Sequence, residues 1–288
     1  MNKQKKILIF GSTGMLGHTL LRFFLEKNIH NTIGTIRFND DLKLFPEKIR
    51  KNIISNIDIE NEGIFTKVFN NFSPDIVINC VGLIRHLKIS NDPVKMISVN
   101  SLFPHLLSRL CSSKNAKLIQ FSTDCIFSGT KGMYTEIDLP DGVDLYAKSK
   151  FLGEVNASNQ ITIRSSFIGH EIKNSLSLLE WFLAEKHDVK GYTKAIFSGL
   201  TTLEMAKVIH DFIIPYDMLE GIYNISAEPI SKYDLLNLIA RVYSKSINII
   251  PDSNVNHDLS LDSGLFRSTT GYIPPKWDDL IKAMYSYG

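Results

Sequence analysis

Cysteine is scarce: the 288 residues contain three, Cys80, Cys111 and Cys125, and their spacing matches no metal-binding pattern. Two of them sit in apolar, strand-like runs, so they read as small core residues of a protein from a reducing compartment. An excess of one charge is missing too, since 32 basic and 30 acidic residues are interspersed and leave a net charge of +2. Without a basic stripe there is no electrostatic footprint for nucleic acid. The cluster Lys3, Lys5, Lys6 reads as a solvated tail ahead of the first strand. Long apolar runs are lacking. No stretch reaches about 18 apolar residues, and the first, Ile7 to Phe10, is broken by Gly11 and Ser12, too short for a secretory signal or a membrane span. These absences lead us to expect a cytoplasmic protein that binds neither nucleic acid nor membrane, with no metal site. Repeats and low-complexity linkers do not occur, and 44% hydrophobic residues suffice for one large or two closely packed domains.

What is present is alternation. Lys6 to Phe10, Asn31 to Ile36, Ile53 to Ile57, Asp75 to Asn79, Lys117 to Phe121 and Ile161 to Arg164 are short apolar or β-branched runs that predict strands. Helical spacing lies between them at Met15 to Lys27, Ile64 to Phe72 and Pro93 to Cys111, with a long helix expected after Tyr146. Short buried strands separated by helices imply βαβ units, hence an α/β fold with a doubly wound parallel sheet covered on both faces. Beyond about residue 165 the pattern is less regular. Helices are predicted there at Ser175 to Glu185, Thr202 to Phe212, Lys232 to Tyr243 and Trp277 to Tyr285.

The first strand runs into Gly11-Ser12-Thr13-Gly14-Met15-Leu16-Gly17 and then a helix. Glycines let the chain turn sharply and bring backbone N–H groups against a pyrophosphate, while the helix N-terminus adds partial positive charge. Strand, triplet and helix stand in the order that a dinucleotide cradle requires. Arg37 lies twenty residues after Gly17, where a cofactor lacking a 2′-phosphate would normally meet a carboxylate. An arginine suits the 2′-phosphate, so NADP(H) is expected, with NAD(H) the alternative if Asp40 or Asp41 serves the ribose. Asp58, with Ile59, ends the third strand and either accepts from the adenine amino group or caps the following helix. Cys80, Val81 and Gly82 follow the fourth strand, at the sheet edge where α/β ligands lie.

Tyr146 and Lys150 stand four apart on one helical face. A carbonyl that accepts hydride needs a proton, and bringing a phenol of pKa about 10 near neutrality takes about 4 kcal/mol. A neighbouring ammonium supplies much of that, so Lys150 is expected to tune Tyr146 and hold the nicotinamide ribose. Ser122 and Thr123, at the end of the fifth strand, can bond the substrate carbonyl and the phenol.

These residues resemble the extended short-chain dehydrogenase/reductases and, among them, the dTDP-4-dehydrorhamnose reductases and related nucleotide-sugar 4-keto reductases. The matching segments are Gly11 to Gly17, Asn79 to Gly82, Asn100 in Val99-Asn-Ser, Ser122 to Phe127, Tyr146 to Lys150 with Gly153-Glu154, and Arg164-Ser-Ser; weaker similarity continues to the end. The resemblance implies a Rossmann-type sheet over 1–165, with 193–228 returning to it, and a smaller substrate-binding region formed by 166–192 and 229–288. It implies Thr123, Tyr146 and Lys150 as the catalytic set, Asn100 supporting the cofactor site, a UDP- or dTDP-linked sugar as substrate, and a helix-mediated homodimer. Arg85, Ser122, Thr123, Ser165, Ser166 and His170 are the candidate substrate contacts. His86 beside Arg85 could face the sugar, although both could equally be surface loop residues, and His170 could be structural. Asp124 reads as a loop cap, and Trp181 as core.

Two departures bear on the sugar. The family's Ser-Thr-Asp-Tyr is here Ser122-Thr123-Asp124-Cys125, and the stretch before Thr201 and Thr202 lacks the usual proline. The chain looks closer to a branch that reduces UDP-linked 2-acetamido-4-keto-6-deoxy sugars for surface polysaccharide. Dehydratases of the same fold carry Thr-Asp-Glu, and Cys125 occupies the glutamate position, which disfavours dehydration. An epimerase or a non-catalytic cofactor-binding subunit are the competing readings, and relatives of the latter kind typically lose the tyrosine or lysine that this chain keeps.

Overall fold

A computed structural model describes residues 4–28, 30–85, 91–173 and 175–288. His86 lies outside them. In chain order the strands are β1 Lys6–Phe10, β2 Asn31–Thr35, β3 Ile53–Ile54, β4 Ile76–Asn79, β5 Lys117–Phe121, β6 Gln160–Arg164, β7 Phe167–Ile168, β8 Val189–Phe197, β9 Leu200–Thr201, β10 Gly221–Asn224, β11 Ile230–Ser231 and β12 Ile249–Asp258. The α-helices are α1 Met15–Lys27, α2 Glu47–Arg50, α3 Glu62–Phe72, α4 Pro93–Met96, α5 Phe103–Ser113, α6 Leu145–Leu152, α7 Leu178–Ala184, α8 Thr202–Val208, α9 Lys232–Val242, α10 Gly264–Thr270 and α11 Trp277–Tyr287.

Seven strands make one all-parallel sheet in the order β10-β6-β5-β4-β1-β2-β3. Alternation along each strand sends neighbouring side chains to opposite cores. Ile7 and Ile9 of β1 join one cluster with Leu20, Leu21 and Phe24 of α1, while Leu8 and Phe10 join the other with Phe65 and Phe69 of α3 and Phe103 and Leu107 of α5. Both faces are therefore covered, which is why these strands read as continuous apolar runs. The chain winds outward from β1 to β3 on one side and from β4 onward on the other. The carboxyl ends of β1 and β4 consequently part at a switch point, where a crevice opens.

The second half of the chain divides its loyalties. α8 packs on α1, and β10 pairs with β6. β8 lies in a separate three-stranded sheet between β11 and β12. Residues 193–197 thus stand with the smaller sheet, and the stretch returning to the main sheet is shorter than 193–228. The helix carrying Tyr146 is also shorter than expected, eight residues, Leu145–Leu152, with Gly153 as its C-cap. Of the strand expected over Ile53 to Ile57, only Ile53–Ile54 pairs as a strand, although Ile57 N–H still donates to Ile36 O at 3.0 Å. Among the described residues no helix is long and apolar enough to cross a membrane.

Candidate active site

The loop after β1 needs two of its glycines for the fold itself. Gly11 has φ +83°, and a Cβ there would press on the Val81 nitrogen at 2.9 Å. A Cβ at Gly17 would run into the Gly11 carbonyl oxygen. Gly14 differs, because a Cβ there meets nothing closer than 3.4 Å. It is exposed and lines the crevice, so its bareness serves whatever approaches from solvent. Gly14 also caps α1 without a side-chain hydrogen bond, and the first turn holds no acidic residue. The positive end of that helix is left facing the crevice, as an anion site requires.

The crevice is open to solvent on one side and has a cavity volume of about 200 Å³. Gly11, Thr13 and Gly14 line one side, Arg37, Asp58 and Ile59 another, and Cys80, Val81 and Gly82 the floor. Ser12, Met15, Leu16, Gly17, Asn100, Tyr146 and Lys150, predicted with them, do not form its wall. Ser12 is buried, with its hydroxyl 3.4 Å from Ile9 O, and Leu16 and Gly17 pack inward. They shape the loop from behind. Thr35, Ile36, Ile57, Glu60, Leu83 and Val99 line the crevice without having been singled out. The only signal for them was position, next to strand ends. Arg37 points at Asp58 (3.4 Å) and Glu60 (3.8 Å), and Glu60 also holds Lys95 at 2.7 Å. Asp58 does not cap the following helix; Asn61 does, accepting from Ile64 N–H.

Asp144 caps α6 by accepting from Ala147 N–H at 2.8 Å, which orients Tyr146 and Lys150 one turn apart. Lys150 is almost fully buried, and its ammonium donates to Phe121 O at 2.7 Å. Burial pushes its pKa down to about 8, against the pull of the Glu154 carboxylate and the Cys80 thiol. A Cβ added at Gly82 would stand 3.8 Å from Nζ, so the ammonium lies just behind the crevice floor.

The tuning of Tyr146 differs from expectation. Burial raises its pKa, the nearby Cys125 thiol and Asp124 carboxylate add to that, and the Thr123 hydroxyl and Arg85 act the other way. The phenol is therefore held in its protonated form, the form a proton donor needs. Burial likewise pushes the Cys125 thiol up to about 12, so it stays neutral beside the phenol. Arg85 stands 5.6 Å over the Tyr146 ring and pairs with Asp144 at 2.7 Å. Thr123 is buried, donating to Asp124 Oδ1 at 3.1 Å and accepting from Cys125 N–H at 3.2 Å.

Asn100 braces the floor. Its Oδ1 accepts from Leu83 N–H (2.8 Å), and its Nδ2 donates to Leu83 O (3.0 Å) and Ser149 Oγ (3.1 Å). It lies in a π-helical segment, Ile97–Leu102, between α4 and α5. Pro104, four residues on, has no N–H to return to the Asn100 carbonyl, and widening of the helix there follows. That carbonyl faces Gly153, where any Cβ would collide with it.

The remaining candidates scatter. Ser122 donates to Glu154 (2.7 Å), which forms a buried, two-pronged pair with Arg164 (2.8 and 2.7 Å). Ser165 is buried, its hydroxyl turned to Ser166 O, and the same carbonyl accepts from Leu200 N–H. His170 lies away from Tyr146, in a small cavity beside His18 and Arg22, with its ring nitrogens on Glu180 (2.8 Å) and Tyr243 (2.9 Å). It is a strut between α7 and α9. Trp181 packs on Phe182 but is 38% exposed, and Phe197 packs on Trp277.

A family model described as "RmlD substrate binding domain" matches residues 5–284. A dTDP-4-dehydrorhamnose reductase of Aggregatibacter actinomycetemcomitans is 23% identical over 240 residues, covering 80% of this chain and 76% of that protein. Methionine adenosyltransferase 2 subunit beta of Mus musculus is 26% identical over 150 residues, 52% of this chain, and the match spans 42% of that protein, less than half its length. The structure of dTDP-4-dehydrorhamnose reductase from Bacillus anthracis str. Ames in complex with NADP is similar with a TM-score of 0.81 at 18% identity, covering 100% of each chain. The fold is thus a shared one, and the match to the family model extends over almost every residue from the glycine loop to α11: the chain belongs to the RmlD substrate binding domain family.

Proposed function

We propose that the protein is an NADPH-dependent oxidoreductase that reduces the 4-keto group of a nucleotide-linked 6-deoxy sugar during synthesis of surface-polysaccharide precursors. The substrate is of the dTDP-4-dehydrorhamnose or UDP-2-acetamido-2,6-dideoxy-4-hexulose type. One juxtaposition carries this reading: a phenol, Tyr146, and a buried ammonium, Lys150, share one turn of α6, and Lys150 lies against Gly82, which lines a crevice that opens from an uncapped helix N-terminus. A reductase among the relatives and an NADP complex among the similar structures support it.

Bound NADPH supplies the hydride that goes to the ketone carbon. Gly11, Gly14 and the first turn of α1 would hold its pyrophosphate, and Arg37 would meet its 2′-phosphate. Thr123 orients the carbonyl. Tyr146 passes its proton to the emerging alkoxide and regains one from solvent, so C=O becomes CH–OH with one hydride and one proton consumed. Lys150 keeps positive charge beneath the reacting oxygens, steadied by Phe121 O, and Asn100 fixes the Leu83 backbone at the crevice floor. Arg85 lies on the sugar side of Tyr146. The loop after β7 and the β11-β8-β12 sheet form the substrate-binding region. Exposed apolar residues on the helices flanking this site, including Val94, Ile97, Leu102, Phe151 and Leu152, support a homodimer.

The relative named as a subunit favours one second reading, a cofactor-binding subunit without catalysis. Tyr146→Phe separates the two. Turnover should fall by about 10²–10⁴ while cofactor affinity stays unchanged, read by NADPH oxidation and by titration. Unchanged turnover removes Tyr146 from the role.

A further inference from the structure

The loop from β7 to α7 is pinned at three points. His170 stands between Glu180 and Tyr243, and Glu171 accepts from the N–H groups of Leu176 and Ser177, both at 2.8 Å. The third pin crosses to the other half of the molecule: Lys173 Nζ reaches Asp41 Oδ2 at 2.7 Å. Asp41 lies in the 3-10 turn Asn39–Leu44 just after β2, beyond Arg37 and Phe38. Phe38 is 54% exposed, and it has two cations against one ring, the Arg37 guanidinium 5.3 Å and the Lys173 ammonium 5.4 Å from its centroid.

The electrostatics of this corner do not suit a phosphate if Arg37 acts alone. Arg37 already faces Asp58 and Glu60, while Asp40 and Asp41 stand in the next turn. Two carboxylates face one guanidinium, two more follow within four residues of it in the chain, and the nearby cation Lys95 is held by Glu60. A dianion entering here needs a second positive charge. Lys173 is placed to supply it, because among the described residues its carboxylate partner is a single monoanion, Asp41, four residues beyond Arg37.

We propose that Lys173 is a second specificity residue for the 2′-phosphate of the cofactor, exchanging the Asp41 carboxylate for the phosphate that Arg37 also meets. This rests on the NADPH reading above. Because Lys173 belongs to the loop that leads into α7 on the sugar side, the phosphorylated cofactor ties that loop down and the unphosphorylated one does not.

The test is calorimetric titration of the full-length wild type, Lys173→Gln, Lys173→Arg and Asp41→Asn with NADP+ and with NAD+. Lys173→Gln should weaken NADP+ by about tenfold, the worth of one charge-assisted contact. It should change NAD+ by less than about twofold, as for an exposed pair. Lys173→Arg should restore NADP+ binding, and Asp41→Asn should not weaken it. If the loop staple alone matters, Lys173→Gln and Asp41→Asn will lose affinity together and for both cofactors, which overturns the proposal. Unchanged NADP+ binding by Lys173→Gln overturns it as well, with the cofactor reading intact. A wild type that does not discriminate NADP+ from NAD+ overturns the cofactor reading itself, and this inference falls with it.

Discussion

Lys150 carries a buried charge in the site, and its titration has a direction that can be measured. Burial sets its pKa at about 8, so the ammonium loses its proton as pH rises through that value. Tyr146 is shifted upward and stays protonated over the same range. The alkaline limb of the rate profile therefore belongs to the lysine. We expect kcat/KM to fall above about pH 8 and Lys150→Arg, which keeps its charge, to move that fall upward; a flat profile to pH 10 in the wild type would contradict this. The stability sign runs the other way. A lysine whose folded pKa lies below its ordinary 10.5 leaves the unfolded chain holding more protons between about pH 8 and 10.5, so its contribution to stability rises with pH there. At this scale the sequence was legible where chemistry resides in side chains. The four-residue spacing of Tyr146 and Lys150 and the three glycines were readable. The Phe121 carbonyl that takes up the ammonium was not, because a backbone acceptor carries no residue identity.

Between elements, the end of β5 is tied to β6 and to the tail of α6 through Ser122, Glu154 and Arg164. Both members of the ion pair are about 4% exposed or less. Replacing Glu154 by Gln leaves a buried guanidinium without its charge partner, which costs about 3–5 kcal/mol. Urea unfolding should show that loss, and a change under about 1 kcal/mol would mean the pair is not what holds the strand ends. Ser122 is absorbed in this network, which explains why a hydroxyl beside Thr123 in sequence is not beside Tyr146 in space. Element by element, the apolar strands and amphipathic helices of the first half followed from their periodicity. β12 did not: it is an edge strand with Pro251, a register break between Asp252 and Asn256, and mostly exposed polar side chains, so neither alternation nor an apolar run marks it. The length of α6 was misjudged for a different reason. Its C-cap, Gly153, packs so closely on Asn100 O that no side chain fits there, a tertiary contact that spacing along the chain does not reveal.

Across the whole molecule, seven parallel strands place the glycine loop after β1 and the Cys80–Gly82 floor after β4 on either side of one switch point. α6 then brings Lys150, with Tyr146 one turn before it, up against Gly82 behind that floor. The second half both completes that sheet, through β10, and builds the separate β11-β8-β12 layer. Membership in the RmlD substrate binding domain family fits this arrangement, while the substrate follows from the site and not from the fold. The account stands or falls on consumption of the cofactor. Purified protein should be supplied with NADPH and, in turn, UDP- and dTDP-linked 4-keto-6-deoxy sugars, with oxidation followed optically and the product identified by NMR. One NADPH consumed per sugar, with a new C4 hydroxyl of single configuration, is the predicted result. Cofactor binding without oxidation on any of these sugars, or a sugar product formed with no net NADPH consumed, would contradict it.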